Sequence, residues 1–131
     1  MKLFNLKTSA VILLITVLSS CSNRMVGTWT VQRYENTTPG EQGVTLNNIG
    51  TLQFKKNGSG EKSLNYVVLG VSHADQIPFK WKWDEGKYMS IDSKGSDFSK
   101  TWIIMTDKKK YQKWKSTDGT NNIQILELLK N

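Results

Sequence analysis

Apolar and polar residues alternate along most of the chain from Met25 onward. A period of two is typical of β-strands, in which successive side chains point to opposite faces of the sheet. The clearest case is Phe79–Trp83 (FKWKW), where the aromatic residues would share one face and the two lysines the other. Segments with this pattern, rich in β-branched and aromatic residues, are predicted strands: Met25–Asn36, Ile49–Lys56, Glu61–Gly70, Phe79–Trp83, Tyr88–Ser93, Phe98–Thr106, Tyr111–Ser116 and Ile123–Lys130.

Short polar segments between the predicted strands are typical of tight turns. They lie at Asn57–Gly60, Asp84–Lys87, Asp107–Lys110 and Asp118–Asn122. Short connections favour antiparallel neighbours, and eight such strands that close on themselves form a barrel just wide enough for packed side chains or one small ligand. We therefore predict an all-β fold, an eight-stranded antiparallel up-and-down barrel.

Two segments lack a clear strand pattern and are predicted as loops. Thr37–Asn48 is polar and contains Pro39, and Val71–Pro78 contains the only histidine, His73. The last segment, QILELLK (residues 124–130), consists largely of residues that also favour helix, so a short helix is an alternative to a strand there.

The N-terminal segment has the features of an export signal. Lys2 and Lys7 precede an apolar run, Ala10–Leu18. Two serines and the only cysteine, Cys21, follow this run. A short apolar run with a basic start is typical of a secretory signal and is too short to span a bilayer.

Small residues directly before a cysteine resemble the lipobox of bacterial lipoproteins. The resemblance implies that the signal is cut before Cys21 and that the Cys21 thiol carries acyl chains such as palmitate. Residues 1–20 would then be the signal peptide, residues 21–24 the lipidated cysteine and a short linker, and residues 25–131 the barrel domain. An uncleaved anchor helix, or an ordinary signal peptide with an unrelated cysteine, is the alternative.

Acylation of Cys21 would tether the protein to a membrane and would use the only thiol, which leaves no disulfide within the chain. Ser22 is not the acidic residue that resembles an inner-membrane retention signal, so we expect anchoring in the outer membrane, facing the periplasm. Three linker residues, Ser22 to Arg24, reach only about 10–14 Å when extended. The barrel is therefore expected close to the lipid surface.

Three motifs in order resemble the lipocalin superfamily, and more closely the short lipocalin-like lipoproteins of Bacteroidetes-type bacteria. They are Val26–Trp29, with its Gly-x-Trp, then Leu52–Gly60 and Phe79–Gly86. The resemblance implies a small barrel whose closed end is plugged by Trp29. Lipocalins usually stack an arginine from near the last strand on that tryptophan, whereas the only arginines here are Arg24 and Arg33. We expect the closure to differ.

Little in the sequence points to catalysis or to a metal. His73 is the only imidazole, and no nucleophile elbow accompanies it. One histidine without a free cysteine does not make a common zinc site. We therefore predict a protein that is not an enzyme and that has no catalytic residues, no metal site and no cofactor.

The tryptophans suggest a binding function, because aromatic side chains supply large apolar area together with a polar N–H group. One hypothesis is a cavity in the barrel that holds a small hydrophobic ligand. The alternative is that the same residues simply fill the barrel. The residues predicted to line the cavity are Trp29, Phe54, Phe79, Trp81, Trp83, Met89, Ile91 and Trp102.

The formal net charge is +7, or +5 once Lys2 and Lys7 are removed with the signal. Nucleic acid is not an expected partner outside the cytoplasm. The charge would face anionic lipid headgroups or lipopolysaccharide, or would only keep the surface solvated. A dense basic stretch near the predicted turn at residues 107–110 would contact anionic lipid or an acidic partner, or would only guard the surface against edge pairing. Its members are Lys108, Lys109, Lys110, Lys113 and Lys115.

Two functions therefore remain open from the sequence. The first is a membrane-anchored, non-enzymatic binding module for a small hydrophobic ligand. The second is a solid barrel that acts as an interaction, assembly or inhibitor module on a protein partner in the cell envelope.

Overall fold

A computed structural model describes residues 24–116 and 121–131 of the protein. The predicted signal peptide, Cys21 and part of the predicted turn at residues 118–122 lie outside the described residues. Nine strands form from the described part of the chain: β1 (Gly27–Thr37), β2 (Val44–Phe54), β3 (Ser59–Val68), β4 (Val71–Asp75), β5 (Phe79–Asp84), β6 (Tyr88–Asp92), β7 (Lys100–Lys108), β8 (Tyr111–Ser116) and β9 (Ile123–Lys130).

Eight of these strands close into an antiparallel up-and-down barrel, as the period-two pattern predicts. The hydrogen-bonded order is β2-β1-β9-β8-β7-β6-β5-β3, and pairing of β2 with β3 closes the ring. The remaining strand, β4, pairs with β3 alone. Among the described residues no helix is long and apolar enough to cross a membrane.

The alternative prediction of a short C-terminal helix is wrong, because Ile123–Lys130 forms a strand that pairs with β1 on one side and β8 on the other. Its alternation of buried and exposed positions fits a barrel wall. Hydrogen bonding to the two neighbouring strands outweighs the modest intrinsic helix preference of its leucines, glutamate and lysine.

The two loop predictions are each wrong in part. Strand β2 begins at Val44, inside the predicted Thr37–Asn48 loop, and continues the β1 ladder as far as the Asn36–Val44 pair. Strand β4 lies inside the predicted Val71–Pro78 loop and follows a two-residue turn at Leu69 and Gly70. Both turn residues have positive φ, 50° and 78°, which is the turn geometry that matches the twist of a hairpin.

Up-and-down topology places alternate turns at opposite ends of the barrel. We call the end that carries the turns at residues 55–58, 85–87 and 109–110 the base. Backbone hydrogen bonds link its parts: Ile104 donates to the carbonyl of Lys87, and Lys130 donates to that of Lys110, both at 2.9 Å. We call the opposite end the mouth. It carries the segments at residues 38–43, 69–70 and 93–99.

Large aromatic side chains fill the barrel between these ends. Trp29, Trp102 and Trp114 are fully buried, and Trp114 contacts Trp102 with ring centroids 6.4 Å apart. The indole N–H of Trp102 donates to the carbonyl of Phe98 at 3.1 Å. Such burial with satisfied N–H groups is the usual arrangement for tryptophan in a core.

The wall has one weak seam, where β3 changes partner. Only two residue pairs join β3 to β5, and the upper half of β3 pairs with β4 instead. A buried polar cluster lies at this seam. Lys62 forms an ion pair with Asp75 at 3.2 Å and a hydrogen bond with Ser93, and Ser96 donates to the other Asp75 oxygen at 2.5 Å. These side chains tie β3 and β4 to the segment after β6.

The charged side chains at the seam are buried. The Lys62 side chain is 0% exposed and that of Asp75 is 10% exposed. Burial lowers the pKa of the Lys62 ammonium, and the Asp75 carboxylate opposes that shift. A buried ion is tolerated only while its partner is present, so removal of either charge leaves the other uncompensated.

Asp75→Asn is expected to lower the free energy of unfolding by about 3 kcal/mol, because it leaves the Lys62 charge buried without its counter-ion. Asp84→Asn, at an exposed position, is the matched control and should change stability by less than about 0.5 kcal/mol. Urea denaturation of both variants measures the difference. Equal losses in the two variants would contradict the assigned role of the seam.

Candidate functional site: a cleft at the barrel mouth

Most of the residues predicted to line a ligand cavity lie within the packed core. Trp81 and Trp83 are only partly buried and pack against that core from β5. Ring contacts join members of the set, such as Phe54 with Phe79 at 5.2 Å and with Trp81 at 5.4 Å. The buried members are Trp29, Phe54, Phe79, Met89, Ile91 and Trp102.

The base is closed around Trp29, the residue that the lipocalin resemblance assigns to this position. Its indole N–H donates to the carbonyl of Met25 at 3.0 Å. The Lys130 ammonium lies 5.6 Å from the Trp29 ring centroid and donates to the carbonyl of Arg24 at 3.1 Å. A lysine on the last strand therefore stacks on the tryptophan where lipocalins usually place an arginine.

Gly27 lies against this closure. Its φ is +132°, and a Cβ there would lie 3.0 Å from Cε of Lys130. A side chain at residue 27 would strain the backbone and would require the Lys130 side chain to shift slightly.

A cleft of about 120 Å³ opens at the mouth. Two valines on β2 and β3 supply apolar wall, two tyrosines supply aromatic surface, and polar groups complete the rim. The lining residues are Tyr34, Asn36, Val44, Tyr66, Val68, His73 and Asp97.

A second and more polar cavity, of about 380 Å³, adjoins the first. It lies between β4 and the segment at residues 95–97, next to the seam. The two cavities share Tyr66, His73 and Asp97. A molecule that enters the cleft can therefore extend a polar part along the outer edge of β4.

Tyr34 lines the cleft and is fixed in position by contacts with Phe98 and Gln124. Its ring packs on Phe98 with centroids 5.0 Å apart, and its hydroxyl accepts a hydrogen bond from the Gln124 amide at 2.8 Å. Lys100 in turn donates to the Gln124 carbonyl oxygen. Burial, with a further contribution from the Asp97 carboxylate, raises the pKa of Tyr34 to about 12. The phenol is therefore neutral at physiological pH.

Tyr66 also lines the cleft, where its ring contacts Tyr34 edge-on with centroids 6.0 Å apart and packs against His73. The Tyr66 and His73 rings are stacked, with centroids 5.0 Å apart and planes 8° apart. The Tyr66 hydroxyl donates to Asp97 at 3.3 Å. Burial, followed by the effect of Asp97, raises the pKa of Tyr66 well above its ordinary value. The pair is fixed by strand register, because Tyr66 on β3 is directly opposite His73 on β4.

The cleft has the composition of a small-molecule site. Apolar and aromatic surface in a concave site with a few polar groups is typical of a small-molecule site. No group of three or more potential metal-ligating side chains occurs in the part of the chain that the structure describes.

The five lysines predicted as a partner or membrane surface do not form one cluster. Lys108, Lys109 and Lys110 are exposed at the β7–β8 turn of the base. Lys113 and Lys115 are partly buried on the outer face of β8, on the wall. Trp114 lies between them in sequence but points inward and is fully buried, so it is not available at a lipid interface.

Sequence analysis missed the two tyrosines of the cleft. The signal was present in β3, where Lys62, Leu64 and Tyr66 share one face with period two. Their importance depends on β4, which the sequence did not predict. The period-two pattern places Lys62 on the buried face, but its partners have no local signal, because only the fold brings Asp75 and Ser93 to it.

Between pH 10 and about 12 the unfolded chain loses the Tyr34 proton while the folded protein keeps it, so the free energy of unfolding falls as pH rises. Tyr34→Phe removes this contribution. Between pH 10 and about 12 the free energy of unfolding of Tyr34→Phe should fall less than that of the wild type, by up to about 2 kcal/mol. Urea denaturation across the range measures both slopes. Loss of the Gln124 hydrogen bond lowers stability at every pH, so parallel curves would contradict the shifted pKa.

Comparison with models of known protein families found no match, and comparison with curated proteins found none either. The closed eight-stranded barrel is compatible with a lipocalin-like fold.

Proposed function

We propose that this protein is a membrane-anchored, non-enzymatic binding protein of lipocalin-like type, which holds a small amphipathic molecule in the cleft at the mouth of its barrel. The observation that carries the proposal is the position of the cleft. It lies next to a core filled with aromatic side chains. Two of its lining residues, Tyr34 and Tyr66, are buried members of that core, whereas Val44, Val68 and His73 are partly exposed.

The size and chemistry of the cleft favour a ligand with a compact apolar or aromatic part. A volume of about 120 Å³ is near that of an apolar cavity that accepts benzene, roughly 150 Å³. Val44 and Val68 would contact that part of the ligand. Polar atoms of the ligand would lie toward Asp97 and His73, in the adjoining cavity of about 380 Å³.

A non-enzymatic function is supported by the burial of a Lys–Ser pair, Lys62 and Ser93, within the described residues. Lys62 contacts the Ser93 hydroxyl, an arrangement that activates serine in some hydrolases. Ser93 is only 2% exposed, and Lys62 is held by Asp75. A substrate would therefore have to open the seam of the barrel before it reached the hydroxyl.

Anchoring is proposed at Cys21, in the outer membrane and facing the periplasm. The described chain begins at Arg24, whose guanidinium forms an ion pair with Asp107 at 3.0 Å. This contact holds the start of the chain at the base, opposite the mouth. The proposed ligand site would thus be at the end of the barrel distant from the anchor.

Val68→Trp tests the site, because the larger side chain would fill the cleft. The full chain is exported in bacteria, purified gently and titrated with toluene and with benzylamine by ligand-observed NMR. We expect the wild type to bind at least one probe and Val68→Trp to lose at least about tenfold in affinity, since a filled pocket leaves no room for a ring.

Val67→Trp is the matched control, because Val67 precedes Val68 on β3 and is 55% exposed on the outer face. It should bind the probes as the wild type does. Absence of binding by the wild type, or equal effects of the two substitutions, would contradict a ligand site in the cleft. Native mass spectrometry of the same preparations would identify a natural ligand as an extra mass.

A second candidate function, the solid interaction module, is favoured by one observation. The β3–β4 hairpin presents apolar side chains to solvent: Leu69 is 92% exposed, Val71 58% and Val67 55%. Leu69 also has a positive φ, which leucine rarely adopts. Exposed apolar patches mark protein contact sites more often than scattered single residues do.

A photo-reactive amino acid at residue 69 should, under this second function, give a discrete cross-linked product with a protein partner in intact cells. The same group in place of Lys82, which is exposed on β5, serves as the control. Gel analysis of the two variants measures the outcome. A smear or no product at residue 69 would count against a partner at the hairpin.

A further inference from the structure

Three separate turns place basic side chains at the same end of the barrel, the base. The β2–β3 turn contributes Lys56, the β5–β6 turn contributes Lys87, and the β7–β8 turn contributes Lys108 to Lys110. All five are exposed. The sequence does not predict that they share one end of the barrel, because the first and last of them are more than fifty residues apart.

Acidic groups at the same end do not balance these lysines. Asp107 is occupied by the ion pair with Arg24 and by a hydrogen bond from the Gln112 amide at 2.7 Å. Lys55 forms an ion pair with Glu61 at 3.0 Å. Asp84 and Glu85 are the remaining carboxylates of the base turns.

The described segments of the mouth carry the opposite balance. They expose Glu41 and Asp97 against a single lysine, Lys94. The barrel therefore has a positive base and a weakly negative mouth. A charge difference along the axis orients a protein at a charged surface.

We propose that the base is a docking face for a membrane surface rich in anionic phospholipid, and that Lys56, Lys87 and Lys108–Lys110 contact the phosphate headgroups. The inference deepens the proposed function and rests on it for the anchor at Cys21. Arg24 lies at the same face, so a three-residue linker would deliver the barrel base-first.

Docking in this orientation directs the mouth into the aqueous phase. The range of a headgroup potential is about 8 Å at physiological ionic strength, so the base turns experience it and the mouth does not. The cleft would then take its ligand from solution rather than from the bilayer. High salt should weaken the contact, because the lysines are exposed.

Lysine acetylation detects the docking face directly. The full chain is mixed with vesicles of phosphatidylcholine alone, or of phosphatidylcholine and phosphatidylglycerol, and treated with acetic anhydride before mass spectrometry. Lys56, Lys87 and Lys108–Lys110 should react several times more slowly on the anionic vesicles. Lys94, at the mouth, should react equally on both. Equal reactivity of base and mouth lysines on both vesicles would overturn the proposal.

Vesicle flotation with charge-reversed variants gives an independent measure. Lys108→Glu, Lys109→Glu and Lys110→Glu are combined in one variant, with Cys21→Ser to remove acylation. The matched control reverses Lys80, Lys82 and Lys94, which are also exposed and change the net charge equally. Since each lysine near an anionic surface contributes about fivefold, the base variant should bind anionic vesicles at least about tenfold more weakly than the control.

Flotation on neutral and on anionic vesicles distinguishes the docking face from the proposed lipid anchor at Cys21. Flotation of the wild type on neutral vesicles, lost in Cys21→Ser, reports acylation alone. Weaker binding of the base variant to anionic vesicles supports the docking face even if the wild type does not float on neutral ones. Equal weakening of base variant and control would mean that net charge alone acts, and it would overturn the proposal.

Discussion

Packing of aromatic rings along the barrel axis is the interaction on which the rest of this structure depends. The contacts run from Phe54 to Trp114, then to Trp102, Phe98, Tyr34 and finally Tyr66 at the mouth. Large rings in a small barrel leave little void, and each ring is fixed by its neighbours or by a hydrogen bond to the backbone. The same packing fills the interior between the two ends, and the cleft lined by Val44 and Val68 opens at the mouth, where the series of rings ends.

The mouth owes its shape to the seam in the wall. Because β3 leaves β5 after two residue pairs and takes β4 as its partner, the barrel opens on that side and a cavity forms along β4. Near this opening the Ser93 hydroxyl lies within hydrogen-bond distance of the carbonyls of Ile77, at 3.4 Å, and Pro78, at 3.2 Å. Lys62, Asp75 and Ser93 replace the missing ladder with side-chain contacts. A buried ion pair is a weak source of net stability, and here it gives a defined geometry to a place where the sheet cannot be continuous.

Much of the fold could be predicted from the sequence, because period-two alternation is a local signal and turn residues mark its ends. The eight barrel strands follow from it, whereas β4 does not, since its five residues (VSHAD) show little contrast between apolar and polar positions. Much less of the candidate site could be predicted. Trp81 was singled out for a cavity, yet its indole N–H donates to the carbonyl of Ser59 at 2.9 Å and its ring packs on Phe54. The Tyr66–His73 pair depends on strand register across a hairpin, and the Lys130 contact with Trp29 joins the two ends of the chain.

Together these features describe a barrel with two different ends, a basic closed base and an open mouth, separated by a packed interior. The central claim is that space for a ligand lies at the mouth and not among the tryptophans. Crystals under xenon pressure test it most directly, because xenon occupies apolar voids whatever the natural ligand is. The account predicts a xenon site in contact with Val44 and Val68. A xenon site among Trp29, Phe54 and Trp102, with none at the mouth, would contradict it.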